Sequence, residues 1–181
     1  RIHRNAGPGD LVLVPQNPLV RAAVDTVLAG RSPRRADLDA VPGVRVEGTL
    51  ATLDLPGVEA FTLELSALSV PGTHNRCNAA VAAALAHDVG ASVDALQASI
   101  GSLVALEHRM EVGHRGATTW INDSKATNLD ATRVGLSGLD GATAVVLLGG
   151  QSKGPGFAAL APLLTPRRAV IAFGGDGPSV A

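Results

Sequence analysis

Two short polar stretches each place a lysine just after an apolar run: "INDSKATN" over 121–128 and "GGQSKGPG" over 149–156. Lys125 and Lys153 are compact point charges suited to phosphate or carboxylate groups. Asp123 can accept hydrogen bonds from ribose hydroxyls. Thr127 can bond a carboxylate at a helix N-terminus, where the dipole favours anions. The plain alternative at 121–128 is a well-capped turn with solvated charges, but the density of functional groups exceeds what capping needs. Around Lys153 the plain alternative is a glycine-rich turn with an exposed lysine. "LLGGQSKGPG" does not fit the phosphate-loop pattern G-x-x-x-x-G-K-[ST], because only Gly149 and Gly150 precede Ser152 and Lys153. No G-x-G-x-x-G follows a strand-like run, so a dinucleotide site has little support.

Two further stretches carry usable groups. In "GTHNRCN" (72–78), Asn75 and Asn78 are three residues apart and can share a helix face. An Asn amide can pair with the N6 and N7 edge of adenine. Both also suit simple capping, since Asn is a favoured N-cap. Cys77 beside them reads as a small buried hydrophobe. In "EHRMEV" (107–112), Arg109 is a good phosphate or ribose partner, the alternative being a surface salt-bridge cluster. His108 reads as a structural hydrogen-bonder. The histidines are scattered, no His and carboxylate pair has metal-ligand spacing, and no G-x-S-x-G elbow is present.

The elements that would position these groups follow from periodicity and punctuation. "DLVLVP" (10–15) is a buried strand. A helix follows, with Asn17 as N-cap, Pro18 at its first position and Gly30 past its end. Residues 31–43 read as a loop. "VRVEGTL" (44–50) and "FTLEL" (61–65) alternate like half-exposed strands of a ribbon or small antiparallel sheet. An alanine-rich helix over 78–87 and a Ser92-capped helix after it form an αα-hairpin. Beyond a boundary near residue 106 come a strand (117–122), a helix (129–139) with Thr127 as cap and Asp130 as capping-box acid, and a strand (143–150). A helix (157–165) and a strand (169–175) complete the series. Strand–helix–strand–helix–strand predicts an α/β fold with a parallel, doubly wound sheet. Ligands of such sheets gather at the carboxyl ends of strands, so Lys125 and Lys153 are expected at two adjacent exits of one cleft.

Composition narrows the function. With 15 basic against 16 acidic residues there is no electrostatic case for nucleic acid or an anionic membrane surface. Three Phe, one Trp and no Tyr give no base-stacking platform. The single cysteine, Cys77, cannot form an internal disulfide, which fits a reducing, cytoplasmic setting. No apolar run is long enough to span a membrane, and no signal peptide is visible. The chain opens at Arg1 without a methionine and stops at Ala181 just past an apolar run, so a fragment of something longer is expected.

Taken in order, "GTHNRCNAAVAAALA", "LEHRMEV", "WINDSKATN" and "LLGGQSKG" resemble the bacterial Mur ligases. "NDSKATN" points to the branch that takes D-glutamate. The resemblance covers residues 70–181 well and the first seventy more weakly. It implies residues 1–105 as the C-terminal portion of a central ATP-binding domain and 106–181 as a truncated, Rossmann-like amino-acid-binding domain. It further implies a monomeric, ATP-dependent ligase joining D-glutamate to UDP-N-acetylmuramoyl-L-alanine, with Mg2+. By motif, Asn75 and Asn78 lie at the adenine, Arg109 reaches the nucleotide and Asp123 holds the ribose. Lys125 lies near the reacting groups, and Thr127 and Lys153 bind the D-glutamate side-chain carboxylate. The family's ATP loop, its modified lysine, its Glu and His metal ligands and its last serine and phenylalanine contacts are missing from these 181 residues, so this stretch is expected to be inactive alone. A folylpolyglutamate synthase-like ligase and a non-catalytic nucleotide-binding module are the rival expectations.

Overall fold

A computed structural model of the chain describes residues 5–139, 143–150 and 157–180. The chain divides into two compact units, one of residues 1–69 with 73–103, the other of 70–72 with 104–181.

The first unit is a five-stranded mixed sheet with helices packed on it. Its strands are β1 (Leu11–Val14), β2 (Arg34–Leu38), β3 (Gly43–Glu47), β4 (Leu50–Asp54) and β5 (Phe61–Glu64), in that spatial order. β1, β2 and β3 pair in parallel; β3, β4 and β5 pair antiparallel. Helix α1 (Pro18–Val27) starts where expected: Asn17 accepts from the amides of Leu19 and Val20 at 3.0 and 3.2 Å. Gly30 then takes the left-handed conformation past its end.

The segment 31–43, read as a loop, contains β2 between β1 and β3. Its charges hide it. Arg34 bonds Asp88 at 2.5 Å, Arg35 pairs with Asp25 and Asp37 with Arg21, both at 2.7 Å, so only Ala36 is buried. The run 44–50 likewise splits into β3 and the start of β4, because Gly48 at φ 58° turns the chain in a two-residue hairpin.

Helix α2 (Thr73–Asp88) lays Ala79, Ala80, Ala83 and Ala84 against β3 and β4. Alanines let the helix backbone come close to the sheet, and Leu53, Leu63 and Ile100 complete the same core. Helix α3 (Val93–Ser99) is capped by Ser92, whose hydroxyl accepts from the Ala95 amide at 3.3 Å. Gln97 bridges the edge strand β5: its amide donates to the Glu64 carbonyl at 2.9 Å and accepts from the Glu64 amide at 2.8 Å.

In the second unit, β6 (Glu111–Arg115) and β7 (Thr118–Asn122) form an antiparallel hairpin closed by Gly116 at φ 62°. Helix α4 (Leu129–Ser137) follows, then β8 (Val145–Gly149), a 3-10 turn (Phe157–Leu160), α5 (Ala161–Leu164), β9 (Ala169–Phe173) and α6 (Gly177–Val180). β8 and β9 pair in parallel, as the strand–helix–strand rhythm predicts. β7 does not join them: among the described residues its hydrogen-bonded partner is β6. The two-residue turn makes local pairing of "EVGHR" with "TTWIN" entropically favoured over a distant one. Arg167 closes the end of α4, donating to the carbonyls of Leu136 and Leu139.

Candidate functional site

The predicted residues fall in both units. In the first, α2 begins at Thr73, so Asn75 and Asn78 lie inside its first two turns and neither is the cap. The expected capping role is therefore overturned; Gly72, at φ 97°, turns the chain just ahead of the helix. The helical spacing keeps the two amides on one side, with Asn78 exposed and Asn75 half-buried. Cys77 is half-buried, and burial, aided by the charge of Asp39, pushes its thiol pKa up. A thiol held neutral is a poor nucleophile, although Cys77 is less buried than the sequence reading expects.

In the second unit the residues of "EHRMEV" and "INDSKATN" meet. Glu111 and Asn122 are register partners across the hairpin, so the stretch before β6 lies beside the stretch after β7. Arg109 is exposed and sits between two residues of left-handed backbone, His108 at φ 64° and Met110 at φ 49°. Such a conformation costs a non-glycine residue about 1–2 kcal/mol, so two in three positions must be held in place. The holding groups are identifiable. His108 N–H donates to Glu111 Oε2 at 3.0 Å, and its carbonyl accepts from the Lys125 amide at 3.0 Å. Met110 N–H donates to Asp123 Oδ1 at 3.1 Å. Asn122 Nδ2 lies 2.9 Å from His108 Nδ1 and donates to Glu111 Oε2 at 3.2 Å. His108 is thus the structural hydrogen-bonder expected.

Asp123 is half-buried, with Oδ2 directed at α4: a Cβ on Gly135 would stand 2.8 Å from it. Lys125 and Thr127 are exposed, in a tight turn where Thr127 N–H donates to the Lys125 carbonyl at 2.9 Å. The cap of α4 is Asn128, not Thr127. Asn128 has extended backbone, and its Oδ1 accepts from Ala131 N–H at 2.9 Å. Asp130 then lies in the first turn, where the dipole favours it without a capping box. Lys153 lies outside the described residues. The expected adjacency of the two lysine-bearing strand exits is not met in the strand order, since β7 and β8 belong to different sheets.

The contributions of Asn122 and Gly135 were not singled out in the sequence, and Glu111 was read only as part of a surface salt-bridge cluster. Positions 111 and 122 become visible only once 111–115 is recognised as a strand. Among the described residues no group of three or more His, Cys, Asp or Glu side chains could hold a metal ion. A cleft of about 520 Å3 in the first unit holds none of the predicted residues, and among its lining Arg21 pairs with Asp37 and Arg35 with Asp25. No helix of the described residues is long and apolar enough to cross a membrane.

No family model matches the chain. Curated relatives do. The UDP-N-acetylmuramoylalanine--D-glutamate ligase of Rubrobacter xylanophilus is 36% identical over 185 aligned positions, covering 98% of this chain and 39% of the relative. That of Thiobacillus denitrificans is 39% identical over 120 positions, covering 65% of this chain and 25% of the relative. The chain belongs to the Mur ligase family. It spans between a quarter and two fifths of the length of these curated relatives. Solved Mur ligases share the fold. A MurF of Acinetobacter baumannii superposes with a TM-score of 0.57 over 82% of this chain and 33% of its own, at 18% identity. A murein peptide ligase of Psychrobacter arcticus superposes with a TM-score of 0.51 over 90% of this chain and 37% of its own, also at 18% identity. Like them, this Mur ligase chain has an α/β fold.

Proposed function

We propose that this chain is the part of an ATP-dependent ligase that joins D-glutamate to UDP-N-acetylmuramoyl-L-alanine in peptidoglycan precursor synthesis. The observation that carries this is the alignment over 98% of the chain with a ligase of that name. Residues 1–105 are then the end of the central ATP-binding domain and 106–181 most of the amino-acid-binding domain. The whole enzyme acts in the cytoplasm as a monomer, on substrates free of nucleic acid or membrane.

The exposed Asn78 and half-buried Asn75 fit an adenine edge, and the exposed Arg109 fits a phosphate or ribose. The resemblance puts Asp123 at the ribose; here its Oδ1 accepts from Met110 N–H and its Oδ2 is directed at α4, so direct ribose ligation is the rival role tested below. The Mg2+ that such chemistry uses has its ligands outside this chain. In the reaction the L-alanyl carboxylate is phosphorylated to an acyl phosphate. The D-glutamate amine attacks its carbonyl carbon, and the tetrahedral intermediate expels inorganic phosphate to leave the amide. Both partners are anions and repel each other. Lys125 lies near the reacting groups and offsets charge there. Thr127 and Lys153 hold the D-glutamate side-chain carboxylate and orient the amine.

In the intact enzyme, Lys153→Ala should raise the KM for D-glutamate steeply, with a rate loss of about 10²-fold if the lysine is a preorganised electrostatic donor. Steady-state kinetics with D-glutamate as the varied substrate measures both. Unchanged D-glutamate kinetics would take Lys153 out of the site. Turnover of a folate with L-glutamate in place of these substrates would move the enzyme to another ligase class.

A further inference from the structure

The strained backbone of the second unit is concentrated at the two residues flanking Arg109, and the groups that hold it come from β6, from the end of β7 and from the turn that carries Lys125. Asp123 is the link with the most specific setting. Its Oδ1 accepts from the amide of left-handed Met110, and Met110 itself is only 2% exposed. Its Oδ2 occupies space that only a glycine on α4 leaves open, 2.8 Å from where a Gly135 Cβ would stand; the same Cβ would lie 3.5 Å from Met110 Sδ. The helix, the carboxylate and the turn therefore interlock, and the turn presents Arg109 outward.

We propose that Asp123, seated against Gly135, is a positioning residue for Arg109: by holding Met110 N–H it fixes the left-handed turn and so sets Arg109 relative to the Lys125 backbone. Arg109's own task rests on the ligase reading above. The backbone bond between His108 and Lys125 makes the coupling concrete, because a shift of the turn moves both cationic residues together. A role of Asp123 as direct ribose ligand makes a different prediction. It would act independently of Arg109 and would not require a glycine at 135.

The test uses the full-length enzyme with Asp123→Ala, Asp123→Asn, Gly135→Ala and Arg109→Ala, alone and combined. A 1 Å misplacement can cost about 10²-fold in rate, so Asp123→Ala and Gly135→Ala should each lower kcat by about 10- to 100-fold. Asp123→Asn keeps a carbonyl oxygen for Met110 N–H and should retain most of kcat. In the Arg109→Ala background, Asp123→Ala and Gly135→Ala should each cost less than about twofold more, since residues acting as one unit are non-additive. Multiplicative losses in the double variants would overturn the proposal and favour direct ligation.

Amide hydrogen exchange of Met110 gives a second reading that needs no substrate. Its protection should fall in Asp123→Ala and Gly135→Ala and survive in Asp123→Asn. Unchanged protection in both would overturn the proposal even in an enzyme that does not use D-glutamate. Loss of protection in both variants, alongside a wild-type enzyme inactive on D-glutamate, would instead overturn the ligase assignment and leave the positioning intact. Gly135→Ala reaches the carboxylate from the other side, so the test stands if Asp123→Ala folds poorly.

Discussion

Cys77 shows how environment, rather than residue type, decides what a side chain can do. It lies among residues assigned to the nucleotide, yet burial first, and the nearby Asp39 charge second, raise its pKa. The thiolate is the reactive form, so iodoacetamide at pH 8 should modify Cys77 in the folded protein more slowly than in the urea-unfolded chain. Equal rates, read by mass spectrometry, would contradict its placement. The sign of the pH effect follows. A folded pKa above the unfolded one of about 8.5 gives a stabilisation fully present below that value. It is lost as pH rises through the folded pKa. The unfolding midpoint should therefore decline on the alkaline side, and Cys77→Ala should decline less over the same range. Asp123 teaches the same lesson from the opposite direction. Its carboxylate looks solvent-facing in the sequence, but Gly135, twelve positions further on in α4, makes room for it inside the unit.

At the scale of elements, one glycine controls the junction between the parallel and antiparallel halves of the first sheet. Gly43 opens β3 at φ 142°, and a Cβ there would stand 2.1 Å from the Asp37 carbonyl oxygen of β2. Neither backbone can yield without breaking the β2–β3 pairing. Gly43→Ala should destabilise the fold by about 3 kcal/mol, adding backbone strain to steric overlap. Equilibrium denaturation measures it, and a loss below about 0.5 kcal/mol would mean that β2 and β3 do not pair as described. This junction was also where the sequence was hardest to read. α1 was legible because Asn17, Pro18 and Gly30 each have one common use at a helix end, and β8 and β9 because they are apolar runs separated by a helical stretch. β2 was hidden because its arginines are neutralised by Asp25 and Asp88, partners that only the fold brings close. The hairpin β6–β7 was half seen for a related reason: "EVGHR" has too little apolar content to announce a strand, and it takes its place from the turn at Gly116. The candidate site shared this limit. Its residue types were legible, whereas its backbone, with left-handed His108 and Met110, was not, since "EHRMEV" holds no glycine and its one histidine is only a weak pointer to positive φ. The cap of α4 was missed by one residue because Thr127 and Asn128 are both good caps, and only the bond to Ala131 distinguishes them.

For the whole molecule, the proposed roles put the amides meant for the adenine and the hydroxyl meant for D-glutamate on different compact units. Asn75 and Asn78 belong to α2 of the first, and Thr127 to the turn before α4 of the second. Each unit has buried residues of its own: Leu53, Leu63 and Ala80 in the first, Met110, Leu136 and Leu160 in the second. Asn78 and Thr127 are both exposed, so substituting either leaves the buried core of its own unit intact. In the full-length enzyme, Asn78→Ala should raise the KM for ATP by about 2- to 10-fold, the value of one ordinary hydrogen bond, with little change in the KM for D-glutamate. Thr127→Ala should do the reverse. Groups with no shared partner act additively in free energy to within about 0.5 kcal/mol, so the double variant should show the product of the two losses in kcat/KM. This separates them from the interlocked pair of Asp123 and Arg109, where the losses should not multiply. A double variant of Asn78 and Thr127 no worse than either single one would mean that both residues act on the same bound group, and the division of substrates between the two units would have to be withdrawn.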